Sequence, residues 1–501
     1  MVTYHYDNAR TGANLSETVL TPANVNAAKF GRMGFYSVDG KVDGQPVYLS
    51  QVSISGQGTH NVLYVVSEHA SVYAFDADSG TTLWHASLLG SGETPSDPHN
   101  CSQIAPEIGI TSTPVIDRSR APHGALYTVA MSKNATGNYF QRIHALDITT
   151  GAELFGGPAT VTAAYPGTGD NSTGGSVIFD AGQYAERAGL LLLNGTVYTT
   201  WTSHCDQRPY TGWIIGYDAN TLTRTQVLNM TPNGSEGSVW MSGTAPAADS
   251  NGNIYFLDAN GTFDTTLDAN GFPSQHDFGN SFLKLSTSAS LTVADYFTMF
   301  GTVAESNADE DLGSGGVLVL PDVTDSAGQP HQLAVGAGKD HVIYVVDRNA
   351  MGKFNPSADH IYQEIPGAFT EPVFSMPAYF NNTVYYGAVG NTIEAFPISN
   401  AKLAATASSK TGNAFPYPGA TPSISANGSS NAIVWAVENS SPAVLHAYDA
   451  TNLANELYNS SQASGSRDQF GAGNKFITPM VVNGKVYVGT ASGVAVFGLL
   501  P

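Results

Sequence analysis

Residues 61–84 read NVLYVVSEHASVYAFDADSGTTLW. Val62 to Val66 is a short continuous apolar run, which suits a buried strand. Glu68-His69 interrupts the run. A second stretch, Ser71–Phe75, ends at Asp76. Asp-Ser-Gly follows, a hairpin signal because Gly accepts positive φ without a Cβ clash. A third strand then runs to Trp84.

The same pattern returns along the chain. TPVID (113–117), ALYTVAM (125–131) and RIHALDITTGAELF (142–155) make the next copy. LLLLNGTVYTTWTS (190–203) with GWIIGYDANTL (212–222) is a third, and APAADSNGNIYFLDANG (245–261) with SFLKLSTS (281–288) a fourth. HQLAVGAGKDHVIYVVDR (331–348) and MPAYFNNTVYYGAVGNTIEAFPIS (376–399) continue the series. TPSISANGSSNAIVWAVEN (421–439) with VLHAYDATNL (444–453), and TPMVVNGKVYVGTASGVAVFG (478–498), end it. Copies recur about every 50–70 residues, the span of a four-stranded blade with its loops. A blade cannot bury both faces alone, so the blades pack radially. The expected fold is an all-β, eight-bladed β-propeller with four-stranded blades, one domain over 1–501. A strand from Phe30 to Val38 is expected to complete the last blade beside Val494–Phe497, closing the ring and leaving no open seam.

Composition limits the function. Charged residues are 12% and net charge is −21, so a nucleic-acid partner is excluded, since a phosphate backbone needs a basic face. No apolar run is long enough for a membrane helix. The start, Met1-Val-Thr-Tyr, reads as a mature end after a removed leader, and the acidic, Lys-poor chain suits a secreted or periplasmic setting. The two cysteines, Cys101 and Cys205, form one disulfide in an oxidising compartment or stand as two separate thiols. Asn134 and Asn171 lie in sequons, a pattern that arises by chance in a chain rich in Asn, Ser and Thr. No phosphate loop, nucleophile elbow, zinc spacing or haem-attachment motif occurs.

Two stretches resemble a known family. YAFDADSGTTLW (73–84) and the opening YDNARTGANLSETVLTPANV (6–25) are similar to the repeats and start of the pyrroloquinoline quinone (PQQ) dehydrogenases, and the likeness extends over nearly the whole chain. The resemblance implies a funnel at one end of the ring. There a quinone lies between a Trp and a disulfide of adjacent cysteines, and Ca²⁺ polarises its carbonyl, held by Glu, Asn and Asp. An Asp acts as base and a Lys or Arg bonds the quinone oxygens. Carried over by position, Trp240 in GSVWMSGTAPAAD (237–249) matches the stacking Trp. Asn260 in LDANGTF (257–263) matches the Asn ligand. Asp311 in DEDLG (309–313) matches the base beside the metal. Lys339 in GAGKDHV (336–342) matches the quinone-binding Lys. Gly313 rather than Asp after Asp311 favours Ca²⁺ over a lanthanide.

Two positions depart from the pattern. Ser102 follows Cys101, so no disulfide of adjacent cysteines forms there. In TSHCDQRPYTGW (202–213), Asp206 stands nearest the Glu ligand position, one methylene shorter but still a hard oxygen ligand. Both cysteines map to funnel loops of successive repeats, which implies a Cys101–Cys205 bond across the funnel.

The resemblance therefore implies a Ca²⁺/PQQ dehydrogenase of alcohols or sugars with an external electron acceptor. Two other readings stand beside it. Glu107, in CSQIAPEIGITSTP (101–114), would pair with Asp311 for general acid/base cleavage of a glycan, by a hydrolase or lyase without a cofactor. Alternatively the funnel binds a glycan or protein without catalysis. Glu68, His69 and His204 sit in loops near the funnel, where turn chemistry explains acidic and imidazole side chains equally well.

Overall fold

The computed structural model describes residues 1–501. The protein is all-β. Eight sheets of four or five strands follow one another along the chain. Sheet 1 contains Val47–Ile54, Gly58–Ser67, Ser71–Asp76 and Thr82–Ser87 in that order. Sheets 2 to 7 are built around the hairpins read from the repeats, and sheet 8 pairs Met480–Val482, Lys485–Gly489 and Gly493–Leu499. Phe30–Ser37 adds antiparallel to Gly493–Leu499, with Phe30 opposite Leu499 and Tyr36 opposite Val494. One helical segment, Thr302–Asn307, was not expected. Neither was a three-stranded insertion over 164–178 between sheets 2 and 3.

The repeated Asp has a defined job. Asp76, Asp147, Asp218, Asp347 and Asp449 each end a strand and accept the backbone N–H two residues on, at 2.8–2.9 Å. The carboxylate thus holds the turn that sends the chain into the next strand.

Packing is radial. Each of eight large apolar clusters takes its residues from two consecutive sheets. Between sheets 2 and 3, Trp201, Trp213 and Tyr184 meet Tyr127 and Val129. The eighth cluster joins sheet 8 to sheet 1 through Tyr487, Val494, Leu63 and Phe75. All four Trp side chains outside the site are buried in these seams, where removing one would cost about 3–5 kcal/mol.

The axis is filled by the chain's own beginning. Carbonyls of Met1, Val2, Asn8, Ala9, Thr11 and Gly12 accept the N–H of Tyr48, Ile116, Ala248, Val319, Tyr379 and Ile424. Asn8 Nδ2 donates to the carbonyl of Leu192, and Val481 N–H donates to Tyr6 Oη. Residues 1–12 therefore bond to all eight sheets, each time at the second residue of a strand. Arg10 is fully buried here, its charge solvated by the carbonyls of Tyr4, Asp7 and Pro246 and by Thr3 Oγ1. Six of those eight strands follow a proline (Pro46, Pro114, Pro246, Pro377, Pro422, Pro479), which has no N–H to leave unpaired at the strand entrance. The loops ahead of these strands carry much of the site.

Candidate functional site

A cavity of about 240 Å³ opens among these loops. It brings together seven of the eight residues singled out in the sequence: Cys101, Cys205, Asp206, Trp240, Asn260, Asp311 and Lys339. Cys101 and Cys205 are bonded, with Cα atoms 5.6 Å apart, and tie a loop within sheet 2, between Glu93–Pro95 and Val115–Asp117, to a loop of sheet 3.

Asp311 is 1% exposed. Lys339 Nζ lies 2.8 Å from its Oδ1 and also pairs with Asp309. The Lys339 N–H donates to the carbonyl of Asp311 at 2.9 Å, so backbone geometry fixes the pair. Asn260 Nδ2 donates to Asp309 Oδ1 at 2.6 Å and joins the same network. Burial pushes the Asp311 carboxyl up, Lys339 pulls it down, and Asp309 and Asp206 add repulsion; the net direction is upward. For Lys339 burial works against the ammonium, but Asp311 and Asp309 outweigh it and its pKa rises.

Apart from that ammonium, no protein donor reaches either Asp311 carboxylate oxygen, and Asn260 Oδ1 is likewise buried without a partner. These are hard oxygen donors of the kind Ca²⁺ takes. Asp206 stands at the rim, its Oδ1 accepting from Tyr210 Oη at 2.9 Å. It borders a second, acidic depression with Glu236, Asn260 and Asp309. No three His, Cys, Asp or Glu side chains converge closely enough to hold a metal ion by themselves. The donor set fits a hard cation that draws further oxygen ligands from a bound molecule.

Trp240 does not stand alone. Its ring meets Phe374 at 5.8 Å and Phe476 at 5.7 Å, both edge to face. Tyr417 meets Phe374 at 5.5 Å. All four rings line the cavity, as does Arg187, whose guanidinium lies 5.4 Å from the Phe476 ring centre. The sequence reading missed Phe374, Tyr417, Phe476 and Arg187. A signal existed: Trp240, Phe374, Tyr417 and Phe476 lie six, three, five and three residues before Pro246, Pro377, Pro422 and Pro479. Aligning the repeats on those prolines puts an aromatic residue in four equivalent loops.

Glu107 is corrected. It does not line the cavity; its Oε1 bonds His69 Nδ1 at 3.0 Å. The carboxylate pair with Asp311 that glycan cleavage was to use is therefore not assembled across the cavity. Glu68 is fully buried and accepts the Gly109 N–H at 2.8 Å, a structural bond. His204 lines the cavity but is stacked on His99, with ring centres 4.1 Å apart, and burial lowers its pKa to about 3. It is neutral and a poor base.

No family model matches the chain, and no curated protein matches it. Solved structures do. A quinohemoprotein alcohol dehydrogenase from Comamonas testosteroni superposes with a TM-score of 0.65 at 14% identity, over 99% of this chain and 80% of that one. A quinohemoprotein alcohol dehydrogenase from Pseudomonas putida HK5 gives 0.63 at 12%, over 99% and 80%. A europium-containing methanol dehydrogenase gives 0.63 at 13%, over 99% of this chain and 98% of that one. The chain thus has a β-propeller fold shared with quinoprotein dehydrogenases. At this identity the likeness speaks for the fold, and chemistry must be argued from the site.

Proposed function

We propose that the protein is a secreted quinoprotein-type dehydrogenase, its eight sheets forming one ring closed by the N-terminal strand. It would oxidise an alcohol or sugar hydroxyl and pass the electrons to a separate acceptor. The observation that carries this reading is the meeting of Trp240, Asn260, Asp311 and Lys339, drawn from four loops of two successive sheets, in one cavity. The Cys101–Cys205 bond supports an oxidising compartment, and no helix is long and apolar enough to cross a membrane.

PQQ, when bound, supplies the two-electron acceptor that takes hydride from the carbinol carbon, while Ca²⁺ supplies a Lewis acid. Asn260 and Asp311 would hold the cation, with Asp206 at the rim. The Asp311 carboxylate takes the hydroxyl proton, so the alcohol loses one hydride and one proton and becomes a carbonyl. Lys339 opposes the upward shift that burial gives this carboxyl and so favours the ionised form that accepts the proton. Trp240, Phe374, Tyr417 and Phe476 form a wall that fixes a flat ring and keeps water away. The Cys101–Cys205 bond lines the cavity without the adjacent-cysteine floor of the family.

Incubating the protein with PQQ and Ca²⁺ and following reduction of an artificial dye over a panel of alcohols and aldoses tests this. Turnover that needs both additions is expected. PQQ-saturated protein that oxidises nothing in the panel would count against the assignment.

A further inference from the structure

Arg187 is set apart from the other nine arginines. Each of those donates at least one hydrogen bond to a protein group. Arg187 makes neither a hydrogen bond nor an ion pair within the protein, yet it is only 4% exposed and lines the cavity. The fold reserves space for it. Gly243 has φ +81°, and a Cβ there would lie 2.3 Å from Arg187 Nη1, so any larger residue would displace the guanidinium.

No acid forms an ion pair with it, although Asp43 is near enough that, against its burial, Lys41 and Arg187 together draw its carboxyl down. Asp43 is taken up by Asn474 Nδ2 at 2.6 Å and by Lys41 at 3.9 Å. Glu186, next in sequence, has both carboxylate oxygens buried without partners, and burial raises its pKa to about 8, so it is uncharged at neutral pH. Another cation, Lys475, lies beside the cavity and donates to Gln103 at 2.8 Å. An unpaired buried charge is costly, and proteins keep one where a bound partner completes it. Guanidinium is the side chain best shaped to take a carboxylate through two parallel bonds. The Phe476 ring against it, in turn packed on Trp240 and Phe374, offers an apolar face for a flat ring next to that charge.

We propose that Arg187 anchors a carboxylate of the molecule bound in this cavity, so that the site selects a flat, carboxylate-bearing ligand over its neutral counterpart. This deepens the dehydrogenase reading by naming a recognition residue, and it rests on that reading only in taking the cavity to be the ligand site. The carboxylate belongs either to the cofactor or to an acidic substrate.

Trp240 is the only Trp lining the cavity, so its fluorescence reports occupancy. Wild type and Arg187→Gln are titrated with PQQ, with a quinoline carboxylic acid and with the matching carboxamide. Wild type should prefer the acid to the amide. Arg187→Gln should weaken both acids by about 10–100-fold, as loss of one charge-assisted bidentate contact does, and leave the amide unchanged. Its thermal midpoint should be equal or higher, because an uncompensated charge has gone. A structural arginine would behave oppositely, lowering the midpoint and the affinity for acid and amide alike. Failure of any acid to bind wild type, or equal binding of acid and amide, overturns the proposal. If PQQ does not bind but the quinoline acid binds through Arg187, the dehydrogenase reading fails and this one stands. If PQQ binds both proteins equally while KM for hydroxy-acid substrates rises in the variant, the carboxylate is the substrate's. If PQQ binds both equally and no acid distinguishes them, Arg187 is not the anchor.

Discussion

Asp311→Asn lowers dye-linked turnover of the PQQ- and Ca²⁺-loaded protein by about 10²–10⁴-fold, the usual contribution of a positioned general base, while the fold persists. Asn keeps the shape of Asp and one oxygen for a cation, so what it removes is the proton acceptor. The change is mild structurally for a reason visible in the site. Lys339 loses one of its two carboxylates but keeps Asp309, and the buried position no longer carries a charge that burial disfavours. The loss should fall mainly on kcat, since the aromatic wall that holds the ligand is untouched. Turnover within a few-fold of wild type would remove Asp311 from the role of base.

Raising the pH from about 6.5 to about 9 lowers the thermal midpoint of wild type relative to that of Glu186→Gln. Burial lifts Glu186 from the ordinary 4.5 to about 8, and burial together with Asp340 lifts Glu305 to about 7. A carboxyl whose folded pKa is raised adds stability that is complete below its unfolded value and lost as pH climbs through its folded value. For Glu186 the loss runs from about pH 4.5 to about 8. At ~1.4 kcal/mol per pKa unit, the part between pH 6.5 and 8 amounts to on the order of 2 kcal/mol for this buried group. With ~2.1 cal/mol/K of unfolding entropy per residue, a chain of this length loses roughly 1 °C per kcal/mol, so wild type should fall by about 2 °C relative to Glu186→Gln. Two groups work the other way at different places. His5, lowered by burial to about 4, loses stability only below about pH 6.5, outside the window. The Met1 ammonium, lowered by burial from 8.0 to about 6, gains stability as pH rises towards 8, but it does so in both proteins and drops out of the comparison. Differential scanning calorimetry at both pH values decides it. A difference between the two midpoints that does not change with pH contradicts the buried neutral carboxyl of Glu186.

How much of this was legible depends on whether the information is local. Residues 61–84 state their own strands and turns, because the short apolar runs and the Asp76 turn involve contacts between near neighbours. The same holds for every copy, so the propeller could be read. The axial segment could not. Its bonds reach residues from Tyr48 to Val481, and its backbone bends through positive φ at His5, Tyr6 and Arg10, which no periodicity announces.

The site divides in the same way. Trp240, Asn260, Asp311 and Lys339 sit at fixed places relative to repeat strands, so position in the repeat implied a shared end of the ring. Glu107 lies in the irregular stretch between Pro95 and Val115, where nothing in the pattern says which way a side chain turns, and it turned to His69. Arg187 follows Glu186 in an edge strand that looks like ordinary core entry. Only the bond it fails to make marks it.

Calorimetric titration of PQQ into the purified protein, with and without Ca²⁺, tests the central claim most directly. The account predicts tight one-to-one binding that depends on Ca²⁺ and is weakened by Asn260→Ala. Absence of binding under both conditions would mean that the Cys101–Cys205 bond and the aromatic wall shape this cavity for a different ligand, and the dehydrogenase assignment would fall.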